Sequence, residues 1–393
     1  MTRIAAGLAT GASAAAAGEA AAQAAGELAG AAVDLAFLFL TPEHLAHADE
    51  AAAAVRSMLE PGCLLGCVSQ GVIGREREVE NGPAAAVWAA SLPGATIEPF
   101  HVTAGSDGEA VDIDGLPGFR DPALIALIVD PFTFPAGALL RRLNGDYPGV
   151  PLVGGIATGG GQPGAQALVL DDRVHEHGSV GVALTGVEVE AVVSQGCAPL
   201  GREAVITRAE GNVVFELAGR PALARLREVV AGLTPREQAL AQRGLLAGLV
   251  IDENKPEYGR SDFLMRGILG ADEESGAIAI GDEVRVGQTL RFHARDAASA
   301  DEDLRLALAE RLRAPTARSA GALLFTCNGR GTNMFSEPDH DSRAVSAALA
   351  SPALAGFFCG GEIGPVGGRS FLHGFTATMA VFVDPGEDAS TDT

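Results

Sequence analysis

Three segments of the chain repeat one glycine pattern, each behind an apolar run at a similar distance. Gly66-Cys-Val-Ser-Gln-Gly71-Val-Ile73-Gly74 matches Gly356-Phe-Phe-Cys-Gly-Gly361-Glu-Ile363-Gly364 at four positions. Gly154-Gly-Ile-Ala-Thr-Gly159 repeats the first two glycines at the same interval. The apolar runs begin near Leu35, Leu124 and Ala322, so the first glycine follows 31, 30 and 34 residues later. A recurring unit of this kind places special backbone at the ends of buried strands, where open α/β sheets hold ligands. With 51 glycines in 393 residues, the first and third copies carry the comparison.

Composition narrows the function. Hydrophobic residues make up 47% and charged residues 20% of the sequence, enough for a large core. The net charge of −22 argues against nucleic acid or an anionic membrane as partner, since both need clustered Lys and Arg. Lys255 is the single lysine, which disfavours P-loop and Schiff-base chemistry. Five widely spaced cysteines without a Cys-x-x-Cys pair point to a reducing cytoplasm rather than a disulfide or zinc framework. No apolar run is long enough to span a membrane. Neither a metal nor a cofactor is expected. The two histidines around Glu176, His175 and His177, lack a nearby third ligand.

The pattern predicts an α/β fold of mixed sheets flanked by helices, with two lobes built from related strand-helix-strand-strand units. Residues 1–30 read as an Ala-rich helix with a polar stripe at Glu19, Gln23 and Glu27. The first lobe spans 31–230 and the second 231–384, with a disordered tail at 385–393. In the first lobe, strand Leu35–Leu40, a helix from Pro42 to Leu59, and strand Cys63–Val68 precede the first glycine turn. Thr234-Pro-Arg-Glu237 and Ser299-Ala-Asp-Glu302 read as capping boxes. The second lobe opens as a meander over 262–295 and ends in the third unit.

These residues resemble the FIST family, a sensory module with N-terminal and C-terminal parts. Gly66-Cys67 with Gly71-Val-Ile73 is similar to its N-terminal signature, and Cys327-Asn-Gly-Arg330-Gly331 to its Cys-x-Gly-Arg-Gly loop. Gly356-Phe-Phe-Cys-Gly-Gly361-Glu362-Ile363-Gly-Pro365 is similar to its Gly-Glu-Ile-x-Pro turn. The resemblance implies small-molecule sensing in the cytoplasm, with an amino acid or similar metabolite as ligand and a separate signalling protein as possible output.

The residues themselves allow several chemistries. Arg330 offers a fork that matches a carboxylate, and Glu362 accepts from an ammonium group. Together they read a zwitterion; alternatively they pair with each other and pin the loop. Cys327, Asn328, Cys359, Gly360 and Gly361 share these two segments, and Cys67, Ser69 and Gly71 occupy the equivalent first turn. Cysteine catalysis by Cys327, Cys359 or Cys67 with His340 or His373 is a second class. A protein-interaction scaffold is a third. Ligand binding without turnover is the expected activity.

Overall fold

The computed structural model describes residues 1–107, 110–259, 262–311, 318–351 and 353–384. The expected disordered tail at 385–393 lies outside them. The described chain forms two compact units. One comprises 1–193, 304–372 and the chain from 376 onward; the other comprises 194–303 and 373–375.

The first unit is made of one module used three times. The first module has lead strand Leu35–Leu40, helix Ala48–Leu59, parallel glycine strand Cys63–Val68 and antiparallel return strand Ala84–Ser91. The second repeats this with Leu124–Val129, Ala136–Asp146, Leu152–Ile156 and Ser179–Thr185. The third does so with Arg318–Cys327, His340–Leu349, Leu354–Cys359 and Thr376–Asp384. The repeated glycine has one register in all three, with Gly66 beside Leu38, Gly154 beside Leu127 and Gly356 beside Leu324. A Cβ there would sit 2.0, 1.8 and 1.6 Å from that leucine's carbonyl oxygen. Only glycine permits this approach.

The short hairpin after each glycine strand does not stay in its own module. Hairpin Val72–Gly74/Arg77–Val79 joins the third module's sheet, pairing with Leu354–Cys359. Hairpin Glu362–Val366/Arg369–His373 joins the second, where Ile363 faces Gly154. Hairpin Leu168–Leu170/Arg173–His175 joins the first, where Leu168 faces Cys67. The exchange runs in a cycle, giving the unit an approximate threefold arrangement.

The strands are apolar throughout because both faces are covered. Their inner faces share one core, with Phe37, Phe39 and Trp88 from the first module, Ile128 and Val153 from the second, and Phe325, Phe357 and Phe382 from the third. Burying each such side chain contributes roughly 1.5–3 kcal/mol. Helices close the outer faces, among them Ala14–Leu28 and Ala48–Leu59 on the first sheet.

The amino terminus departs from expectation. Residues 1–30 are not one helix: Arg3–Thr10 is a strand paired with Ala84–Ser91, and the helix is Ala14–Leu28. Sheet pairing overrides the helix propensity of alanine here. A Cβ on Gly7 would lie 1.9 Å from the Ala20 carbonyl oxygen, so the bare backbone lets the helix seat directly on the strand. Gln23, from the polar stripe, fixes that contact by bonding the Leu8 N–H and C=O, each at 3.1 Å. The segment after Pro42 also differs, being a 3₁₀ turn over Pro42–His47 before the α-helix Ala48–Leu59 begins.

The second unit is antiparallel. Its strands run in the order Cys197–Glu210, Thr289–Arg295, Leu245–Val250, Phe263–Asp272, Ala277–Ile280, Val213–Leu217. Val213–Leu217 pairs back onto Cys197–Glu210, so the sheet closes into a barrel around Leu200, Ile206, Leu249 and Phe292. The lobe boundary expected near 230 falls inside this unit. The barrel lies in the chain between the return strand of the second module and the lead strand of the third. Thr234 and Glu237 form the expected capping box, whereas the helix Ala297–Arg311 is opened by Asp296, whose carboxylate accepts from Ser299 at 2.8 Å.

Candidate functional site at the strand ends

The three glycine turns meet at the carboxyl ends of their strands. The residue two past each repeated glycine offers its carbonyl to a neighbouring module. Val68 C=O accepts from Gly159 N–H at 3.2 Å, and Ile156 C=O from Gly360 N–H at 2.9 Å. Phe358 C=O accepts from the Ser69 hydroxyl at 2.6 Å, so a side chain closes the ring where the first two links are backbone. Thr158 Oγ1 lies 2.8 Å from Ser69 Oγ and also donates to Phe358 C=O at 3.2 Å. Ser69 is buried, Thr158 half-buried, and Gln70 and Gly360 exposed, so the ring lies just under the surface.

Beside it, the loop from Cys327 to the helix His340–Leu349 holds a buried ion pair. Arg330 Nε and NH2 donate to Asp341 Oδ2 and Oδ1 at 2.7 and 2.8 Å, and both side chains are fully buried. Thr326 Oγ1 donates to Asp341 Oδ2 at 2.8 Å. His340 stacks on Phe335 at 3.5 Å with Nδ1 2.9 Å from Asp341 Oδ1. Burial alone would raise the Asp341 carboxyl; the bidentate guanidinium more than reverses this and holds it well below the usual carboxylate range. The exchanged hairpin of the first module clamps the same loop. Glu80 accepts from Thr332 N–H and hydroxyl, each at 2.9 Å, and Glu78 accepts from Ser342 N–H at 2.7 Å. Gly331 is at φ 52°, where a Cβ would lie 2.6 Å from the Glu80 carboxylate, so this glycine makes the clamp possible.

Of the two readings the sequence offered, pairing with Glu362 is present as a charge interaction only, since the bidentate partner of Arg330 is Asp341. Glu362 is also fully buried, with Oε2 taking the Thr376 N–H and hydroxyl at 3.1 and 2.8 Å. Among the described residues its Oε1 has no hydrogen-bond partner, nor does the buried Oδ1 of Asn328 or Oε2 of Glu78. Burial pushes Glu362 up to about 8, against the lowering influence of Thr376, Cys327 and Arg330. Burial, then the charge of Asp341, pushes Glu78 up to about 7. Burial also keeps the Cys67 and Cys359 thiols far above their ordinary range.

The structure thus gathers the residues singled out from sequence. Cys67 of the first turn acts on Cys359 of the third, which also interacts with Cys327 and Glu362, and Ser69 bonds the Phe358 carbonyl. Asn328 N–H donates to Cys359 C=O, and Phe358 N–H to Gly71 C=O. A Cβ on Gly155 would meet Cys359 Sγ at 2.3 Å, so the second turn touches the same place. Sequence reading missed Asp341, Glu78, Glu80 and Thr158. Glu78 and Glu80 alternate along Arg75-Glu-Arg-Glu-Val-Glu80, which marks one face of a strand, but only the strand exchange shows which loop that face meets. Surface depressions of about 420 Å³, by Leu92, Val187 and Val383, and about 610 Å³, by Leu200, Arg236 and Asp296 in the barrel, are lined by none of these groups. Concentrated buried charge, rather than concavity, distinguishes the ring. Among the described residues no group of three or more His, Cys, Asp or Glu side chains is arranged to hold a metal ion. No helix there is long and apolar enough to cross a membrane.

Comparison with known proteins agrees with the motifs. The FIST N domain model matches residues 34–220 and the FIST C domain model matches 222–365. An uncharacterized protein of Mycobacterium tuberculosis (strain H37Rv) is 48% identical over 351 residues, covering 89% of this chain and 91% of its own length. An uncharacterized protein of Mycobacterium bovis is 46% identical over 354 residues, covering 90% and 91%.

Proposed function

Since the chain belongs to the FIST family, whose domains are associated with sensory ligand binding in signal transduction, we propose that it binds a small amine-bearing metabolite at the ring of strand ends. The class is an amino acid or a close relative. The observation that supports this reading is the pair of buried acceptor oxygens, Glu362 Oε1 and Asn328 Oδ1, that have no geometric hydrogen-bond donor among the described residues, with only the weak donor Cys327 acting on Glu362. An unmatched buried acceptor costs about 1–3 kcal/mol. A ligand ammonium entering past Gly360 and Thr158 relieves that cost. Arg330 has a positioning role, since its pair with Asp341 shapes the loop that carries Asn328. The ligand carboxylate is then left to the glycine turn around Gly360 and Gly361 rather than to a guanidinium. Turnover is not part of the proposal: thiols kept protonated by burial are the opposite of an activated nucleophile. We place the protein in the cytoplasm, passing its state to a separate signalling protein.

A thermal-shift panel of amino acids and related amines tests this. A binder present at about 100 times its Kd adds roughly 2.7 kcal/mol to apparent stability. Glu362→Gln and Asn328→Ala should each weaken that ligand at least tenfold, with the unliganded melting temperature nearly unchanged. If nothing in the panel shifts melting, or both variants bind as tightly as the parent, the reading is wrong.

A further inference from the structure

We infer that Glu362 and Glu78 act as a proton-operated latch on the loop between Cys327 and the helix His340–Leu349, because each is a buried carboxyl with one unpaired oxygen on either side of the Arg330–Asp341 pair. This rests on the binding reading only for its purpose, since the latch gates the proposed site. Its physics belongs to the unliganded protein.

The groups facing each carboxyl fix the sign. Around Glu362 lie Arg330, Cys327 and Cys359, together with the donors of Thr376. Arg330, whose charge also acts on Glu362, carries the bidentate pair with Asp341. Around Glu78 lie Asp341, Glu80 and Asp339, with Ser342 N–H as donor. An ionised Glu78 would therefore add to an anionic cluster, and an ionised Glu362 would be a second buried anion for a single guanidinium. Each is accommodated in the closed loop as the neutral acid. Opening exposes both carboxyls to water and restores their ordinary acidity. The closed state holds the extra protons, so closure is strongest below the ordinary value of 4.5. It weakens as pH rises and stops weakening above about 7 for Glu78 and about 8 for Glu362.

Hydrogen exchange on the unliganded, full-length protein tests the latch. Protection of peptides covering 328–341 is compared with peptides from the lead strand Leu124–Val129, both corrected for intrinsic rate, at pH 5.5, 6.5, 7.5 and 9. The opening constant of the loop alone should rise by up to about a hundredfold per pH unit to about 7, by about tenfold per unit from there to about 8, and then level off. Glu362→Gln and Glu78→Gln, which mimic the neutral acids, should each reduce that slope, and the double variant should abolish it. If one variant fails to fold, the other still decides. A loop whose protection is flat across this range, or keeps its slope in the glutamine variants, overturns the latch. A flat profile in a protein that binds an amine leaves the binding reading standing. A steep profile in a protein that binds nothing in the panel does the reverse.

Discussion

The first and third modules share a plan and differ at one joint. In the first, lead strand passes to helix almost at once: Thr41 closes the strand by exchanging hydrogen bonds with Ala84, and Pro42 starts the 3₁₀ turn. In the third, the chain spends the stretch from Asn328 to Asp339 on the same joint and fills it with a fully buried Arg–Asp pair, a stacked histidine and two borrowed glutamates. A loop needed only for connection would not carry uncompensated desolvation, since buried ion pairs at best repay their cost. The difference teaches where to look for function in a repeated architecture: at the copy whose joint is longest and most polar.

The largest effect expected from this contrast comes from breaking the pair. Asp341→Ala strands a buried guanidinium and should cost about 3–5 kcal/mol in denaturant unfolding, whereas Asp49→Ala on the exposed helix of the first module should stay within about 0.5 kcal/mol. The pair also has an acid signature. Asp341 is held below its ordinary value of 3.8, so its contribution is complete above that pH and is lost as pH falls below it. Equal costs for the two variants would erase the distinction between the joints.

The next effect tests what the modules have in common. Gly66→Ala, Gly154→Ala and Gly356→Ala each drive a methyl into a leucine carbonyl, and each should destabilise by about 3 kcal/mol or fail to fold. Three comparable losses support one repeated register. A tolerated alanine at Gly154 would demote the second copy, whose sequence match is the weakest.

That copy illustrates how far the sequence could be read. The glycines, the apolar lead strands and the intervals between them were legible, because steric exclusion at a close backbone approach leaves only one residue type. The family signatures were legible for the same reason. The hairpin exchange was not, since Val72–Val79 has the same alternation whichever sheet receives it. The partner of Arg330 was hidden too. Asp341 lies eleven residues on and opens a helix, where an acidic residue is ordinary. The barrel was half legible: its meander showed, but closure depends on Val213–Leu217 pairing back onto Cys197–Glu210, which no local pattern records.

Thr41→Val tests the simple joint on its own terms. It removes the hydroxyl that takes the Ala84 N–H at 2.9 Å and leaves a buried donor unpaired, which should cost about 1–3 kcal/mol. Because nothing charged is involved, the loss should not vary with pH between 5 and 8. A pH-dependent loss would mean that the first joint is coupled to the carboxyls of the third.

The smallest effect probes the ring that unites the modules. Ser69→Ala deletes one of two side-chain links: Phe358 C=O keeps the Thr158 hydroxyl at 3.2 Å, and the long Thr158 N–H bond to Ser69 Oγ at 3.3 Å is lost with it, so the cost should be about 1 kcal/mol. Adding Thr158→Val removes the remaining donor. The double loss should then exceed the sum of the single ones by about 1 kcal/mol or more, the mark of two groups serving one carbonyl. Strict additivity in that cycle would mean the ring is incidental geometry, and that the third turn is held by its strands without help from the other two.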